Sequence, residues 1–461
     1  MKRPKSAPIL GPNTAENEVD DTVSRQCIEN EIDKNPFPVW LRWKRTSPQL
    51  IAKAESKLLQ RLKCTVECSF VPIFDGSCVI RTLLATPRFR HNNHEHVPIV
   101  LIHGFASGIG LWCKNIDALA ENRPVYAIDL LGFGRSTHAK FPKDACDVEN
   151  FWIESIEQWR SFIGLSRFIL LGHSFGGYLA TVYTFKYPNR VAHLILADPW
   201  GFEERITRGD NENSHVSRSV VLRRFLGIYF KLFNPLGALR GVGPAGRHMF
   251  HRVRSDLSAT FDQRQLASER YPKTESSVGK KEKVEFFSDS PPQSTVPQTS
   301  DEDSVKLQTT EESRSDCLDN LDGSNVLNYI YYINLQNPSG EVGFKRLCGK
   351  IPFARNPLLQ RIDQLDKSIP MTFLIGAKSW IKSTTGTRTR DKRPESYVAI
   401  KLFEDAGHHV YADDTDAFNE YVNQIASFVD AGIYPQTLEE SIQVPGEQRS
   451  CLLENKFAHA S

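Results

Sequence analysis

The feature that most constrains this chain is a serine between two glycines, placed after a short apolar run and before a helical segment. Residues 170–177 read LLGHSFGG and contain the pattern G-x-S-x-G. The run 168–171 is typical of a buried strand, and 176–187 is typical of a helix that ends at Pro188. A serine on such a tight turn needs neighbours without side chains, because adjacent backbone crowds those positions. The pattern therefore predicts that Ser174 is a nucleophile at the top of a sheet.

Apolar runs and helical segments alternate on both sides of this motif. The predicted strands are 68–74, 78–84, 99–102, 125–128, 168–171, 191–197, 371–375 and 398–403, and the predicted helices include 150–163, 176–187 and 416–428. Alternation of this kind indicates an α/β fold, with a mostly parallel sheet and helices on both faces. The pattern breaks for about 170 residues after 202, which indicates an inserted cap.

We expect a core in two halves, separated by that cap. The predicted boundaries are 1–60 for a flexible N-terminal tail, 61–202 and 361–432 for the two halves of the core, 203–360 for the cap, and 433–461 for a polar C-terminal tail. Within the cap, 205–254 carries ten Arg or Lys against two acidic residues. Such a stretch is commonly a solvated helix face, but this excess suggests an anionic membrane surface. The polar composition of about 262–324 predicts a disordered insert.

Composition excludes several classes of protein. A net charge of +2 gives no global field that would attract nucleic acid. The nine cysteines are irregularly spaced, which argues against a disulfide framework or a zinc site and for reduced thiols. Residues 1–33 lack the apolar segment of a secretory signal, and no apolar run approaches the ~20 residues needed to cross a bilayer. We therefore expect a cytoplasmic protein that is not secreted and has no transmembrane helix; no metal or organic cofactor is implied.

A nucleophilic serine needs a base, and one histidine pair lies where a base is expected, after the last predicted strand. Residues 405–413 read DAGHHVYAD. The order nucleophile, acid, histidine along the chain favours His408 as the base, with His409 as the alternative. His408 and Asp413 also form H-x4-D, a pattern associated with acyltransferases.

Two backbone amides are candidates for an oxyanion hole. One follows the nucleophile, at Phe175, and the other lies in the loop after the strand 99–102, at Phe105. His103 in the same loop is interpreted as a structural residue that orients the loop. Asp129, at the end of another predicted strand, is interpreted as a carboxylate that holds a turn.

The acid of a triad is harder to locate. It usually lies in the loop after the penultimate strand, but 376–382 contains no carboxylate. Asp198, directly after the strand 191–197, is an alternative that some lipases use, and it is equally well explained as a structural loop residue. An acid fixes the histidine tautomer, and its loss can cost ~10⁴ in turnover. The sequence therefore favours an enzyme, with weak activity if no acid reaches His408.

The chain resembles the α/β-hydrolase-domain proteins of subfamily 4/5. This group contains N-acyl-phospholipid lipases and the lipid-droplet co-activator of adipose triglyceride lipase. The matching stretches are LIHGFASGIGLW (101–112), IDLLGFGRS (128–136), LGHSFGGYLATVY (171–183), KYPNRVAHLILADPWGF (186–202), NPLGALRGVGP (234–244), MTFLIGAKSW (371–380) and GHHVYAD (407–413). The resemblance implies the α/β-hydrolase fold and a cytosolic, lipid-facing protein.

The resemblance also assigns expectations to individual residues. Ser174 is retained as in the lipase branch, whereas the co-activator has Asn there, and Lys382 stands where the lipase branch carries Asp. The co-activator's lipase-activating Arg and Gly fall on Lys378 and Gly407. Its aromatic droplet anchor falls on the segment 36–46. The tryptophans of that segment, which the residues alone explain equally well as an arm packed on the domain, are Trp40 and Trp43.

Two hypotheses follow. The first is a peripheral lipid-droplet protein that promotes triglyceride lipolysis by recruiting or co-activating an adipose-type triglyceride lipase. The alternative is a serine hydrolase or acyltransferase that uses Ser174 and His408 on N-acyl phospholipids or lysophospholipids. The expected partners are that lipase, a lipid droplet or membrane surface, and a phospholipid or acylglycerol substrate.

Overall fold

The computed structural model describes residues 46–87, 96–204, 236–242, 246–261, 323–349 and 353–433. The strands are β1 (Thr65–Ile73), β2 (Cys78–Thr86), β3 (Ile99–Ile102), β4 (Val125–Ile128), β5 (Phe168–His173), β6 (Val191–Ala197), β7 (Met371–Gly376) and β8 (Val398–Phe403). The α-helices are α1 (Pro48–Leu59), α2 (Ile116–Leu119), α3 (Ala145–Ile163), α4 (Phe175–Lys186), α5 (Gly237–Gly241), α6 (Gly246–Val253), α7 (Ser255–Phe261), α8 (Gly323–Asn334), α9 (Gly340–Leu347), α10 (Thr384–Lys392), α11 (Val410–Asp413) and α12 (Thr415–Ala431). Short 3₁₀ turns lie at Ile109–Trp112, Pro188–Arg190, Leu358–Gln360 and Ile362–Gln364.

These strands form one sheet in the order β1-β2-β4-β3-β5-β6-β7-β8. β1 and β2 are antiparallel to their neighbours, and the pairs from β4 to β8 are parallel. Because parallel strands end at the same edge, the loops after β3, β5, β6, β7 and β8 meet there. Every residue of β3, β5, β6 and β7 is buried, as expected for strands covered on both faces.

Alternate side chains of the central strands point into two separate hydrophobic clusters. Val100 and Ile102 lie in one cluster with helices α3 and α4, whereas Ile99 and Leu101 lie in the other with α1, α8 and α12. This period of two is what a strand imposes. The result is a three-layer arrangement of helices, sheet and helices, which confirms the predicted fold class.

Helix α1 corrects one boundary. Residues 1–60 are predicted to be a flexible tail, but 48–59 form a helix that packs on the core. Ser47 caps it by accepting a hydrogen bond from the Leu50 amide at 3.2 Å, and Pro48 begins it. Ile51 and Leu58 are buried. The prediction was wrong because it extended the polar character of the preceding residues over a segment in which Ile51, Ala54 and Leu58 recur at helical spacing.

The cap lies between β6 and β7, and its described part contains α5 to α9. Helix α8 begins at Gly323, at the end of the predicted insert. Most of the basic stretch and nearly all of the predicted insert lie outside the described residues, as do Trp40, Trp43 and the chain from 434 onward. Among the helices that the structure describes, none combines the length and the apolar character needed to cross a membrane.

Candidate active site

Ser174 occupies the turn between β5 and α4. Its backbone has φ 52° and ψ −116°, a sparsely populated conformation for a residue with a side chain. A Cβ atom at Gly172 would collide with the Gly176 carbonyl, and one at Gly176 would collide with the Ile102 carbonyl. The two glycines therefore permit the turn for the reason that the motif predicts. The Ser174 amide donates to the Ala197 carbonyl at 3.0 Å, which ties the turn to β6.

His408 reaches the serine from the loop after β8. Its Nε2 lies 2.9 Å from Ser174 Oγ. His409, the alternative base, is directed elsewhere: its Nδ1 lies 3.2 Å from the Tyr411 hydroxyl, and its Nε2 lies 3.5 Å from an Arg254 nitrogen. Of the two adjacent histidines, His408 is the one within hydrogen-bond distance of Ser174.

Asp198 lies on the other side of the His408 ring. Its Oδ2 is 2.5 Å from His408 Nδ1. The residue directly follows β6, has φ 45°, and its amide donates to the Leu374 carbonyl at 2.8 Å. The carboxylate is fully buried. The structure thus places Asp198, His408 and Ser174 in one hydrogen-bonded series, the arrangement that a triad requires.

Two further donors hold the Asp198 carboxylate. The Ser379 hydroxyl donates to Oδ2 at 2.5 Å, and the Gly376 amide donates to Oδ1 at 3.4 Å. Burial raises the pKa of Asp198 above its usual value, because a desolvated carboxylate is disfavoured; hydrogen bonds from His408 and Ser379 oppose this. Ser379 was not predicted as a site residue. Its position in the loop after β7, where an acid normally lies, was the available signal.

The same loop carries residues that face outward. Lys382 points away from the triad: its Nζ lies 3.6 Å from Glu203 Oε2, and its side chain is about half exposed. Trp380 is 56 % exposed, and its ring centroid lies 5.2 Å from that of His408. An exposed indole therefore borders the proposed base.

The loop after β3, which contains the predicted oxyanion-hole residue Phe105, approaches Ser174. A Cβ atom at Gly104 would lie 3.2 Å from Ser174 Cβ, so the backbone next to Phe105 is packed against Ser174. Phe175 begins α4 directly after Ser174. Within the described residues, no hydrogen bond uses the amide of Phe105 or Phe175. Neither amide is therefore occupied by another group in the part of the chain that the structure describes.

His103 and Asp129 stabilise the loops at this edge. His103 accepts a hydrogen bond from the Leu130 amide at 2.9 Å, and burial lowers its pKa to about 4. Asp129 accepts from the Ile109 and Arg135 amides, each at 2.7 Å, and burial raises its pKa to about 7. These contacts agree with the structural interpretation of both residues.

Asp413 does not touch the His408 side chain in the described hydrogen-bond network. Its Oδ2 accepts from the Gly407 amide at 2.9 Å, and its Oδ1 accepts from the Thr260 hydroxyl of α7 at 2.9 Å. The carboxylate therefore links the cap to the turn that carries the base. Lys378 lies beside this turn: its amide donates to the Ala406 carbonyl at 2.9 Å.

The Lys378 side chain is on the surface, where its Nζ lies 2.8 Å from Asp405 Oδ1 and 63 % of the side chain is exposed. Through its backbone bond it is a spatial neighbour of the turn that contains Gly407. The two positions that the resemblance links to lipase activation therefore adjoin each other.

Residues 97–415 match the family described as alpha/beta hydrolase fold. The chain is 38 % identical over 385 residues to human "1-acylglycerol-3-phosphate O-acyltransferase ABHD5", covering 84 % of this chain and 92 % of that protein. It is 35 % identical over 385 residues to "(Lyso)-N-acylphosphatidylethanolamine lipase" of Bos taurus, covering 84 % and 94 %.

Naproxen esterase from Bacillus subtilis is similar in structure with a TM-score of 0.48 and 13 % identity, covering 82 % of this chain and 97 % of that one. The sequence relatives bear the names of a lipid acyltransferase and a lipid lipase, and they cover most of this chain. The resemblance stated from the motifs is confirmed. This chain belongs to the α/β-hydrolase family.

Proposed function

We propose that this protein is a serine ester hydrolase or acyltransferase acting on phospholipid-like acyl esters. The observation that carries the proposal is the hydrogen-bonded series from Asp198 through His408 to Ser174 Oγ. A buried carboxylate that orients an imidazole beside a serine is what activates a hydroxyl as a nucleophile. The absence of an acid at Lys382 does not weaken this series, because Asp198 supplies the carboxylate.

In the first half of the reaction, Ser174 Oγ attacks the acyl carbonyl carbon while His408 Nε2 takes the hydroxyl proton. The carbonyl oxygen becomes negatively charged and receives hydrogen bonds from the Phe105 and Phe175 amides. Asp198 stabilises the imidazolium. The ester C–O bond then breaks, His408 returns the proton to the leaving alcohol, and an acyl-serine remains.

The second half decides between hydrolysis and transfer. His408 takes a proton from the incoming hydroxyl, whose oxygen attacks the acyl-serine, and the proton returns to Ser174. With water the product is a fatty acid; with the hydroxyl of a lysophospholipid it is a new ester. Asp413 is not assigned a proton-transfer role, because in the described network its carboxylate contacts the Gly407 amide and the Thr260 hydroxyl and not the His408 side chain.

Two observations support a lipid substrate. The relatives are named for an acylglycerol phosphate and for N-acylphosphatidylethanolamine. In addition, an aromatic cluster adjoins the nucleophile: Phe175 packs against Phe344 of the cap with ring centroids 5.0 Å apart, and Phe344 packs against Phe105 at 4.3 Å. Aromatic surface beside the nucleophile suits an acyl chain.

A fluorophosphonate probe tests this function without knowledge of the substrate, since it reacts with activated serines. The full-length protein should be labelled, and Ser174→Ala and His408→Ala should lose the label. A folded wild-type protein that stays unlabelled, or Ser174→Ala that is labelled as strongly as wild type, would contradict the proposal.

A second candidate function is co-activation of an adipose-type triglyceride lipase at the surface of cytoplasmic lipid droplets. The observation that favours it is the exposed Lys378 side chain next to the Gly407 turn. We expect Lys378→Ala to reduce lipase stimulation on isolated droplets while fluorophosphonate labelling persists. Ser174→Ala should leave the stimulation intact, and the pair Trp40→Ala with Trp43→Ala should reduce droplet binding. Equal stimulation by wild type and Lys378→Ala would count against this candidate.

A further inference from the structure

The side chain of His173, the residue before Ser174, contacts the backbone of His408, the base of the proposed triad. It ends β5 and is 2 % exposed. Its Nε2 lies 2.8 Å from the His408 carbonyl oxygen. A carbonyl oxygen only accepts hydrogen bonds, so Nε2 must carry the proton and donate it. The strand that holds the nucleophile is thereby bonded to the backbone of the base, 235 residues later in the chain.

The other side of the His173 ring faces the oxyanion loop. Because Nε2 is protonated in the neutral ring, Nδ1 is a bare acceptor; it is buried and has no hydrogen-bond partner in the described residues. A Cβ atom at Gly104 would lie only 2.8 Å from this nitrogen. The ring therefore sets how closely the loop with Phe105 can approach Ser174, and only glycine fits at 104.

The surroundings of the ring keep it neutral. Burial lowers the pKa of His173 well below its usual value, and the neighbouring His408 and His409 lower it further. Tyr411 packs on the same ring, with centroids 4.9 Å apart. A neutral His173 adds no positive charge beside His408 when that residue takes the serine proton.

We propose that His173 is a positioning residue for the reaction: its Nε2–H group fixes the His408 backbone and so holds the His408 ring between Ser174 and Asp198. This inference rests on the proposed function, since it assigns His408 as the base. The His408 ring must keep two short contacts at once, 2.9 Å to Ser174 Oγ and 2.5 Å to Asp198 Oδ2. A displacement of ~1 Å in such a pair can cost ~10²-fold in rate.

A matched pair of variants separates this role from simple space filling. His173→Gln keeps a side-chain N–H donor at about the reach of Nε2, whereas His173→Met has a similar length and no donor. We expect His173→Met to slow both fluorophosphonate labelling and kcat for 4-nitrophenyl butyrate about tenfold, the effect of one lost hydrogen bond. KM should stay within about twofold, and His173→Gln should recover most of the rate.

If thermal unfolding shows that both variants are folded, equal rates in the Gln and Met variants would overturn the inference. A Met variant as fast as wild type would also overturn it. A second measurement needs neither folding of the Met variant nor activity. The ¹⁵N spectra of histidine-labelled wild type, with His173 identified by the loss of its signals in His173→Gln, should show a neutral ring protonated at Nε2. Protonation at Nδ1 would overturn the inference even if the enzyme is active.

The two proposals fail in distinguishable ways. An unlabelled wild-type protein whose His173 carries its proton on Nε2 would contradict the proposed function and leave the His173–His408 bond supported. A labelled wild-type protein whose His173 carries its proton on Nδ1 would support the proposed function and contradict the positioning role of His173.

Discussion

Two neighbouring strands, β6 and β7, end at the same edge of the sheet but contribute different things to the site. The residue directly after β6 is Asp198, whose carboxylate contacts His408. The loop after β7 offers no carboxylate to His408; it offers the Ser379 hydroxyl, which donates to Asp198. Because the two strands pair in parallel, with Ala197 opposite Leu374, either loop can reach the base. Chain order alone therefore does not determine which strand supplies the acid.

The two loops also differ in exposure. Asp198 is fully buried, whereas the loop after β7 presents Trp380 and the Lys378 and Lys382 side chains to solvent. The first loop is thus suited to orienting a proton acceptor in a dry environment, and the second to meeting a surface or a partner. Exchanging or removing their side chains tests this division.

The largest effect is expected at the loop after β6. Asp198→Asn should reduce kcat for 4-nitrophenyl butyrate by ~10⁴, because His408 loses the group that fixes its tautomer and stabilises its cation. Asp405→Asn, a change at an exposed carboxylate near the same histidine turn, is the matched control and should stay near wild type. A loss of less than tenfold in Asp198→Asn would mean that another group orients the base.

A smaller effect is expected from Ser379→Ala. It removes a hydrogen bond that lowers the pKa of Asp198, so that pKa rises further. Since catalysis needs the ionised carboxylate, the acidic limb of the kcat profile should move to higher pH, with about a tenfold loss near that limb. Ser383→Ala, at an exposed serine of the same loop, should leave the profile in place. A profile that does not move would show that Ser379 is not coupled to the acid.

Trp380→Ala should lower the rate of hydrolysis of a lipid presented in a bilayer more than the rate of hydrolysis of a soluble ester. An exposed indole beside His408 can partition into a lipid surface. Loss of ~1 kcal/mol of this contact would lower the rate on the bilayer about fivefold. The measurement compares N-acylphosphatidylethanolamine in phosphatidylcholine vesicles with 4-nitrophenyl butyrate. Phe162→Ala removes another exposed aromatic, one that lies near the start of β5 and not its end, and should change neither rate. A proportional loss on both substrates would place Trp380 in the chemistry and not at an interface.

The smallest effect is expected from Lys382→Asp, which places an acid where the lipase branch carries one. The side chain points toward Glu203 and solvent, so activity should stay within about twofold. The double variant with Asp198→Asn should remain as inactive as Asp198→Asn alone. Recovery of more than tenfold in the double variant would show that the two loops are interchangeable as sources of the acid.

The fold and the position of Ser174 in it were predictable because their signals are local. Four strands of the core are buried on both faces and read as continuous apolar runs, and two glycines flank Ser174 in sequence as they do in space. Helix α1 was missed, although its buried Ile51, Ala54 and Leu58 recur at helical spacing, because the helix is short and adjoins a long polar segment. Its Ser47–Pro48 start was the sequence signal that remained.

Asp198 could be predicted only as one of two interpretations, and Ser379 not at all, because their contacts with each other and with His408 run across the chain. Asp198 and His408 are 210 residues apart, and nothing near either residue distinguishes a carboxylate that orients a base from one that holds a turn. Ser379 lies 181 residues from Asp198 and is one of several hydroxyls in its segment. The parallel pairing of β6 with β7 and of β7 with β8 brings these groups together.

Ser174 and Asp198 precede the cap along the chain, whereas His408 follows it. A polypeptide cut between 262 and 322 would leave each fragment with part of the triad. Reassembly would have to re-form the pairing of β6, in the first fragment, with β7, in the second. Fluorophosphonate labelling of the mixture would then report fragment association directly, so the chain is laid out for complementation driven by strand pairing.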